Sequence, residues 1–183
     1  MPSDEEITKC LDDHLPYEIN MLRVAARGLS EVGARGMSAN IFIEVFCVHA
    51  RNLIEFFDGR WAQPDDLMAS ELAGYTCKVD LKEQRDRINK RIAHLTAERV
   101  RGDGNKISHL ECLRTYIELE NEIERFMEGL TPEMRSALSA KLTIPRQKVM
   151  VAKLDSVVEA VDTASPSHAQ AVVWPPPSDE PPK

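Results

Sequence analysis

The stretch SANIFIEVFCVHARNLIEFFD, residues 38–58, decides how the rest of the chain is read. Ile41, Phe42, Val45, Phe46, Leu53, Phe56 and Phe57 recur at helical spacing. Ile43, Val48 and Ile54 widen that face until the first half is apolar nearly all round, which predicts a helix at the centre of a bundle. Gly59 closes it. The apolar run is too short to span a bilayer, Glu44 interrupts it, and His49 and Arg51 follow.

Upstream, Pro16 precedes a helical pattern over 17–32 whose stripe is Ile19, Leu22, Ala26 and Leu29, ended by Gly33 and Gly36. Residues 1–15 are polar and read as frayed or only partly helical. Downstream, 59–79 form a connection in which Pro64-Asp65-Asp66 starts a short helix carrying Leu67, Met68 and Leu72, with Trp61 and Tyr75 packing it across the bundle. A third helix is predicted over 80–100, with Leu81, Ile88, Ile92 and Leu95 inward, then a turn at Gly102-Asp103-Gly104. A fourth covers 108–127 with Leu113, Tyr116 or Ile117, Glu120, Ile123 and Met127 in line. Glu120 interrupts that stripe, so the inward face shifts toward Leu119 and Phe126. Thr131-Pro132-Glu133 starts a short helix to about Leu142, with a cap and a proline at the first helical position. Pro145 opens a last, thinner amphipathic helix through Met150, Leu154, Val157, Val158 and Val161, lying on the bundle or on a partner. Six of the eleven prolines fall in 164–183, a polyproline-like tail expected to be disordered.

The organisation is therefore a polar segment 1–15, a helical core 16–130, a helical extension 131–163 and a tail 164–183. The fold class is all-α, a bundle of about four main helices with short satellites.

Composition narrows the function classes. A net charge of −7 and a pI near 5.3 disfavour diffuse binding to nucleic acid or anionic membrane. The N-terminus Met1-Pro2-Ser3-Asp4-Glu5-Glu6 is acidic where a secretion signal is basic, so a cytoplasmic location is expected, with no membrane partner. The cysteines at 10, 47, 77 and 112 form no CxxC pair and give no zinc signature; Cys47, inside an apolar run, reads as a small buried hydrophobe. Nucleotide-binding glycine loops, nucleophile elbows, HExxH and EF-hand loops are all missing, and no cofactor or metal is predicted.

Charge is distributed unevenly. Residues 80–101 hold seven basic side chains against four acidic, and 106–128 hold three basic against six glutamates. Ordinary pairing between solvated faces accounts for this pattern. So does a local phosphate-binding strip on the third helix. On an α-helix Arg87, Arg91 and His94 fall on one face, with Glu98 a turn further. Imidazole titrates near neutrality and suits a general base or acid, and a guanidinium holds a phosphate and the charge developing on it. Those groups suffice to cleave RNA through its own 2′-hydroxyl. The plain alternative makes His94 structural, bonded to Glu98. On the second helix His49 and Asn52 share the Val45 and Phe56 line, facing inward toward Asn89 or His94, with Arg51 beside them.

The strings His49-Ala50-Arg51-Asn52-Leu53-Ile54-Glu55-Phe56-Phe57 and Ile88-Asn89-Lys90-Arg91-Ile92-Ala93-His94-Leu95-Thr96 resemble uncharacterised bacterial helical proteins and the wider HEPN superfamily. The resemblance covers roughly residues 17–128. It implies a helical, typically homodimeric protein, in many members a metal-independent ribonuclease of toxin–antitoxin, phage-defence or RNA-processing systems. The family's motif is an arginine followed a few residues later by a histidine; Arg87 and His94 match it across six residues, with Ile88 where the family carries a polar residue. By the resemblance Arg87 and His94 are catalytic, and Asn89, Lys90, Arg91, His49, Arg51 and Asn52 bind substrate or support the site. The competing expectation is a non-enzymatic regulatory or antitoxin-like module that binds a protein partner through the acidic fourth helix and the tail.

Overall fold

The computed structural model describes residues 2–32, 36–63, 65–93 and 106–148, and among them every regular element is helical. The chain divides into two units, Met1–Val149 and Met150–Lys183. The expected last helix, apart from residues 145–148, which are not helical, and the tail lie outside the described residues.

Helix α1, Asp4–Lys9, begins with a reciprocal cap: Ser3 Oγ accepts the Glu6 N–H at 3.3 Å and the Glu6 carboxylate accepts the Ser3 N–H at 2.7 Å. The chain passes through a π-helical turn, Cys10–His14, into α2, Leu15–Val32. The N-terminal segment is thus part of the fold, a correction to its reading as frayed. In the π turn Leu15 N–H donates to the Cys10 carbonyl, five residues back, so Cys10, Leu11 and Leu15 all reach the core. A template of 3.6 residues per turn does not align those positions.

Helix α3, Gly36–Phe57, packs antiparallel on α2, as Glu18 reaching His49 and Gly28 meeting Phe42 both require. The predicted α2 stripe of Ile19, Leu22, Ala26 and Leu29 is fully buried. On α3 the core side is Phe46, Cys47, Ala50, Leu53, Ile54 and Phe57. The helix sits centrally, touching α2 and the later helices, but its apolar first half is not covered on every side: Met37, Ile41 and Val48 are 75%, 53% and 51% exposed. They share a face that neither α2 nor the helices beneath covers.

A 3-10 turn, Gly59–Trp61, and α4, Ala69–Ala73, make the connection; α4 starts five residues after Pro64 and ends on Gly74, whose φ of 59° lies in the left-handed region. Tyr75 packs across the bundle as predicted. Phe56, Phe57, Tyr75 and Phe126 form an edge-on cluster with centroids 5.1 to 6.0 Å apart. Helix α5, Lys82–Ile88, continues as a second π-helical turn, Asn89–Ala93, and runs antiparallel along α3, Arg85 reaching Glu55 while Arg91 lies beside Ile43.

Helix α6, His109–Gly129, starts with a second reciprocal cap between Ser108 and Glu111. Its inward face is Leu113, Tyr116, Leu119, Ile123 and Phe126, the shifted face expected from sequence, and Glu120 stays buried within it. Helix α7, Pro132–Lys141, follows the predicted Thr131 cap, buries Leu138 and packs on the Cys10–His14 turn. The segment after it returns across α2 and α6. Asn20 Nδ2 donates to the Lys141 carbonyl, Ile144 N–H to Asn20 Oδ1, and Gln147 N–H to the Tyr116 hydroxyl. The compact body therefore runs to residue 149 rather than ending at 130.

Candidate functional site

The basic strip is built on α5. Leu81 and Ile88 bury its inner face, as predicted, which leaves the arginines at the edges. Arg85 is structural: Nε and Nη2 donate to Glu55 Oε1 at 3.0 and 2.8 Å, and its guanidinium lies 4.4 Å over the Trp61 ring. Arg51 completes this cluster, donating to the same Glu55 oxygen at 3.2 Å.

Arg87 and Arg91 line two adjoining cavities, which share Ile107. The π-helical turn begins right after Ile88, and its wider i→i+5 turn rotates the chain less per residue, which takes Arg91 off the line of Arg87. Arg87 lines a cavity with Cys112 and Thr115 between α3, α5 and α6, and is ion-paired with Glu111. Arg91 lines the adjoining cavity, of about 220 Å³, with Asn40, Ile43, Glu44, Ile92, Lys106 and Ile107. Its Nε and Nη1 are out of water and have no hydrogen-bond partner, and the same holds for Asn89 Oδ1. Unsatisfied buried donors are costly, and in native proteins they point to a strained or functional position. Lys90 is exposed and engaged in an interaction of its own. His94, the predicted proton-transfer group, and Glu98 lie outside the described residues.

Of the polar pair on α3 expected to face inward, His49 is buried while Asn52 is exposed, and both turn to a different helix from the one expected. His49 Nδ1 is 2.7 Å from Glu18 Oε2 on α2, and the His49 ring meets Tyr17 edge-on at 5.5 Å. Asn52 Nδ2 donates to the same Glu18 oxygen at 3.1 Å. Their common partner is thus a carboxylate on α2, not Asn89 on the third helix. A face read from one helix does not say which neighbour supplies the partner, and Glu18 is thirty-one residues from His49.

Two carboxylates of the acidic fourth helix, Glu120 and Glu122, also turn inward. Glu120 accepts from Arg23 Nε at 2.7 Å and Nη2 at 2.9 Å, both groups buried. Burial alone would raise the Glu122 carboxyl, but hydrogen bonds from Tyr75, Arg125 and the Lys78 N–H hold it below its ordinary value. Burial together with Glu122 pushes the Tyr75 hydroxyl up to about 12. Glu124 pairs with Arg146, and Glu118 accepts from Gln84 Nε2 at 3.0 Å. Sequence reasoning missed Arg23, Gln84 and Glu118, whose charges or amides matter only through contacts distant in the chain.

Among the described residues no group of three or more His, Cys, Asp and Glu side chains is arranged to hold a metal ion, and no helix is long and apolar enough to cross a membrane. Compared with protein-family models, with curated proteins and with solved structures, the chain matches none.

Proposed function

We propose that the chain is a metal-independent RNA endonuclease of HEPN type, working in the cytoplasm as a homodimer in a toxin–antitoxin or phage-defence setting. The observation that carries this reading is Arg91. Its guanidinium holds two unsatisfied, desolvated nitrogens in a side chain lining a cavity that also contains Lys106 and Asn40. A phosphate oxygen is the ligand that satisfies such a group, through charge-assisted hydrogen bonds. His94 follows three residues later in the chain and takes the 2′-hydroxyl proton as that oxygen attacks phosphorus. The P–O5′ bond breaks, leaving a 2′,3′-cyclic phosphate on one fragment and a 5′-hydroxyl on the other, with the leaving oxygen protonated by the imidazolium. Arg91 and Arg87 balance the charge on the phosphoryl oxygens, Arg87 once its pairing with Glu111 exchanges for phosphate. Asn89 and Lys90 position the backbone. In a homodimer two such strips pool their arginines and histidines.

The test is incubation of the purified protein with mixed RNA in EDTA, beside single-stranded DNA. Expected are cleavage of RNA alone, cyclic-phosphate ends, and a rate loss of about 10²-fold or more in each of His94→Ala, Arg87→Ala and Arg91→Ala. A broad RNA panel left intact, or cut equally by wild type and His94→Ala, overturns the reading. The pairing of Arg87 with Glu111 favours a second reading, a non-enzymatic helical module binding a protein partner. Its acidic helix is a weak docking face, because Glu120 and Glu122 are buried and Glu111, Glu118 and Glu124 are bonded within the unit.

A further inference from the structure

The cavity between α3, α5 and α6 has a volume of about 230 Å³ and an apolar floor of Phe46, Cys47, Ile88, Ile107 and Cys112. Its charged walls differ at the two ends. Toward one end Arg87 and Glu111 neutralise each other. Toward the other stand Gln84 on α5 and Glu118 on α6, linked by a 3.0 Å bond from Gln84 Nε2. That second end is unbalanced in two independent ways. Gln84 Oε1 is buried and accepts no hydrogen bond. Among the described residues Glu118 makes no ion pair, and burial pushes its carboxyl above the ordinary range, with the Gln84 amide offsetting only part of that rise. Arg114 also lines the cavity and has an interaction of its own.

We propose that this cavity is a binding site for a small organic monocation, an ammonium or amidinium group on a short apolar body, whose N–H groups donate to Glu118 and to Gln84 Oε1. Each half of the ligand answers a feature of the wall. The cation supplies the charge that Glu118 lacks and the donor that Gln84 lacks. The apolar body covers the Cys47, Ile88 and Cys112 floor. An anion would meet the Glu118 carboxylate, and a neutral hydroxyl would satisfy Gln84 Oε1 without bringing Glu118 a counter-charge. The volume falls below the roughly 300–1,000 Å³ of pockets that take drug-sized ligands, so the occupant is a smaller, metabolite-sized molecule. This site goes beyond the RNA reading and does not rest on it.

The full chain is titrated by ligand-observed NMR with n-butylammonium, 1-butanol and butyrate, which share a carbon chain and differ in charge. Expected is amine binding tighter than alcohol binding by about tenfold or more, as a charge-assisted hydrogen bond predicts, with no binding of butyrate. Glu118→Gln keeps an acceptor for Gln84 and removes the charge; it is expected to erase the amine's advantage over the alcohol. Glu128→Gln, the same charge change on an exposed part of α6 outside the cavity, is expected to leave it intact. A circular dichroism melt confirms that each variant is folded, and the wild-type series is decisive even without them. Equal affinity for amine and alcohol, no amine binding, or undiminished amine preference in folded Glu118→Gln overturns the proposal. No RNA takes part, so failure of the ribonuclease reading does not alter this result.

Discussion

Arg23 and Glu120 illustrate how much a single contact can weigh in this fold. Both are buried, with two hydrogen bonds between them, and Arg23 Nη1 also donates to the Ile144 carbonyl at 3.0 Å. Bringing two charges out of water costs several kcal/mol for each, and their attraction offsets that cost only while the pair is complete. Arg23→Ala leaves the carboxylate buried, with Arg146 3.9 Å from it as the remaining cation and the Ile144 carbonyl short of a donor. The expected loss in a urea titration is about 3–5 kcal/mol. The double variant Arg23→Met, Glu120→Leu removes both charges and is expected to recover most of that loss. A single variant as stable as wild type would mean that water or Arg146 already satisfies Glu120. The sequence marks Glu120 as an intruder in an apolar stripe, so half of this pair is legible. Its partner is not, because Arg23 lies ninety-seven residues away and looks like one more arginine at a helix edge.

At the scale of elements, the sequence is readable wherever the helix has its usual period. The α2 stripe, the inward face of α6 and the Thr131 cap of α7 all follow from local spacing and chemistry. The departures come with π-helical geometry. Cys10–His14 brings Cys10 and Leu15 to one side, and Asn89–Ala93 sends Arg91 into a different cavity from Arg87. Nothing in the composition of either turn announces an extra residue, so an α-helical template places every following side chain at the wrong angle. The same holds for helix approach. Gly28 falls inside an ordinary helical pattern, yet the Phe42 ring of α3 occupies the space where its side chain would stand. Gly28→Leu has better helix propensity by about 1 kcal/mol. It must also displace an aromatic ring and part of the α2–α3 contact, an overpacking cost of about 1–3 kcal/mol. The expected net effect is a lower Tm, and a rise would indicate that Phe42 rotates out freely. Val24, on the exposed face of the same helix, supplies the control, since Val24→Leu should leave the melt nearly unchanged.

At the scale of the whole molecule, the outer face of α3 bears on the proposed homodimer. Met37, Ile41 and Val48 recur at helical spacing and stand open, with Tyr17 and Val24 exposed on the adjacent α2. The sequence reads this helix as apolar nearly all round, and the structure covers it on the sides of α2, α5 and α6. Asn40 and Glu44, which line the Arg91 cavity, flank the open stripe along one edge. A second copy meeting this stripe would cover the apolar side chains and bring two Arg91 cavities toward the symmetry axis, which is what a shared phosphate cleft requires. Association through α5 would leave the stripe exposed. The two arrangements separate experimentally. Light scattering of the full chain at micromolar concentration is expected to give twice the 20.6 kDa of one copy. Ile41→Asp combined with Val48→Asp places two charges in the contact and should return the monomer mass with unchanged helicity, because both side chains are more than half exposed in the single chain. A dimer that survives the double substitution moves the interface elsewhere, to the strip of α5. A wild-type monomer removes the dimer altogether, and with it the pooling of two strips, leaving each site the arginines and the one His94 of a single chain.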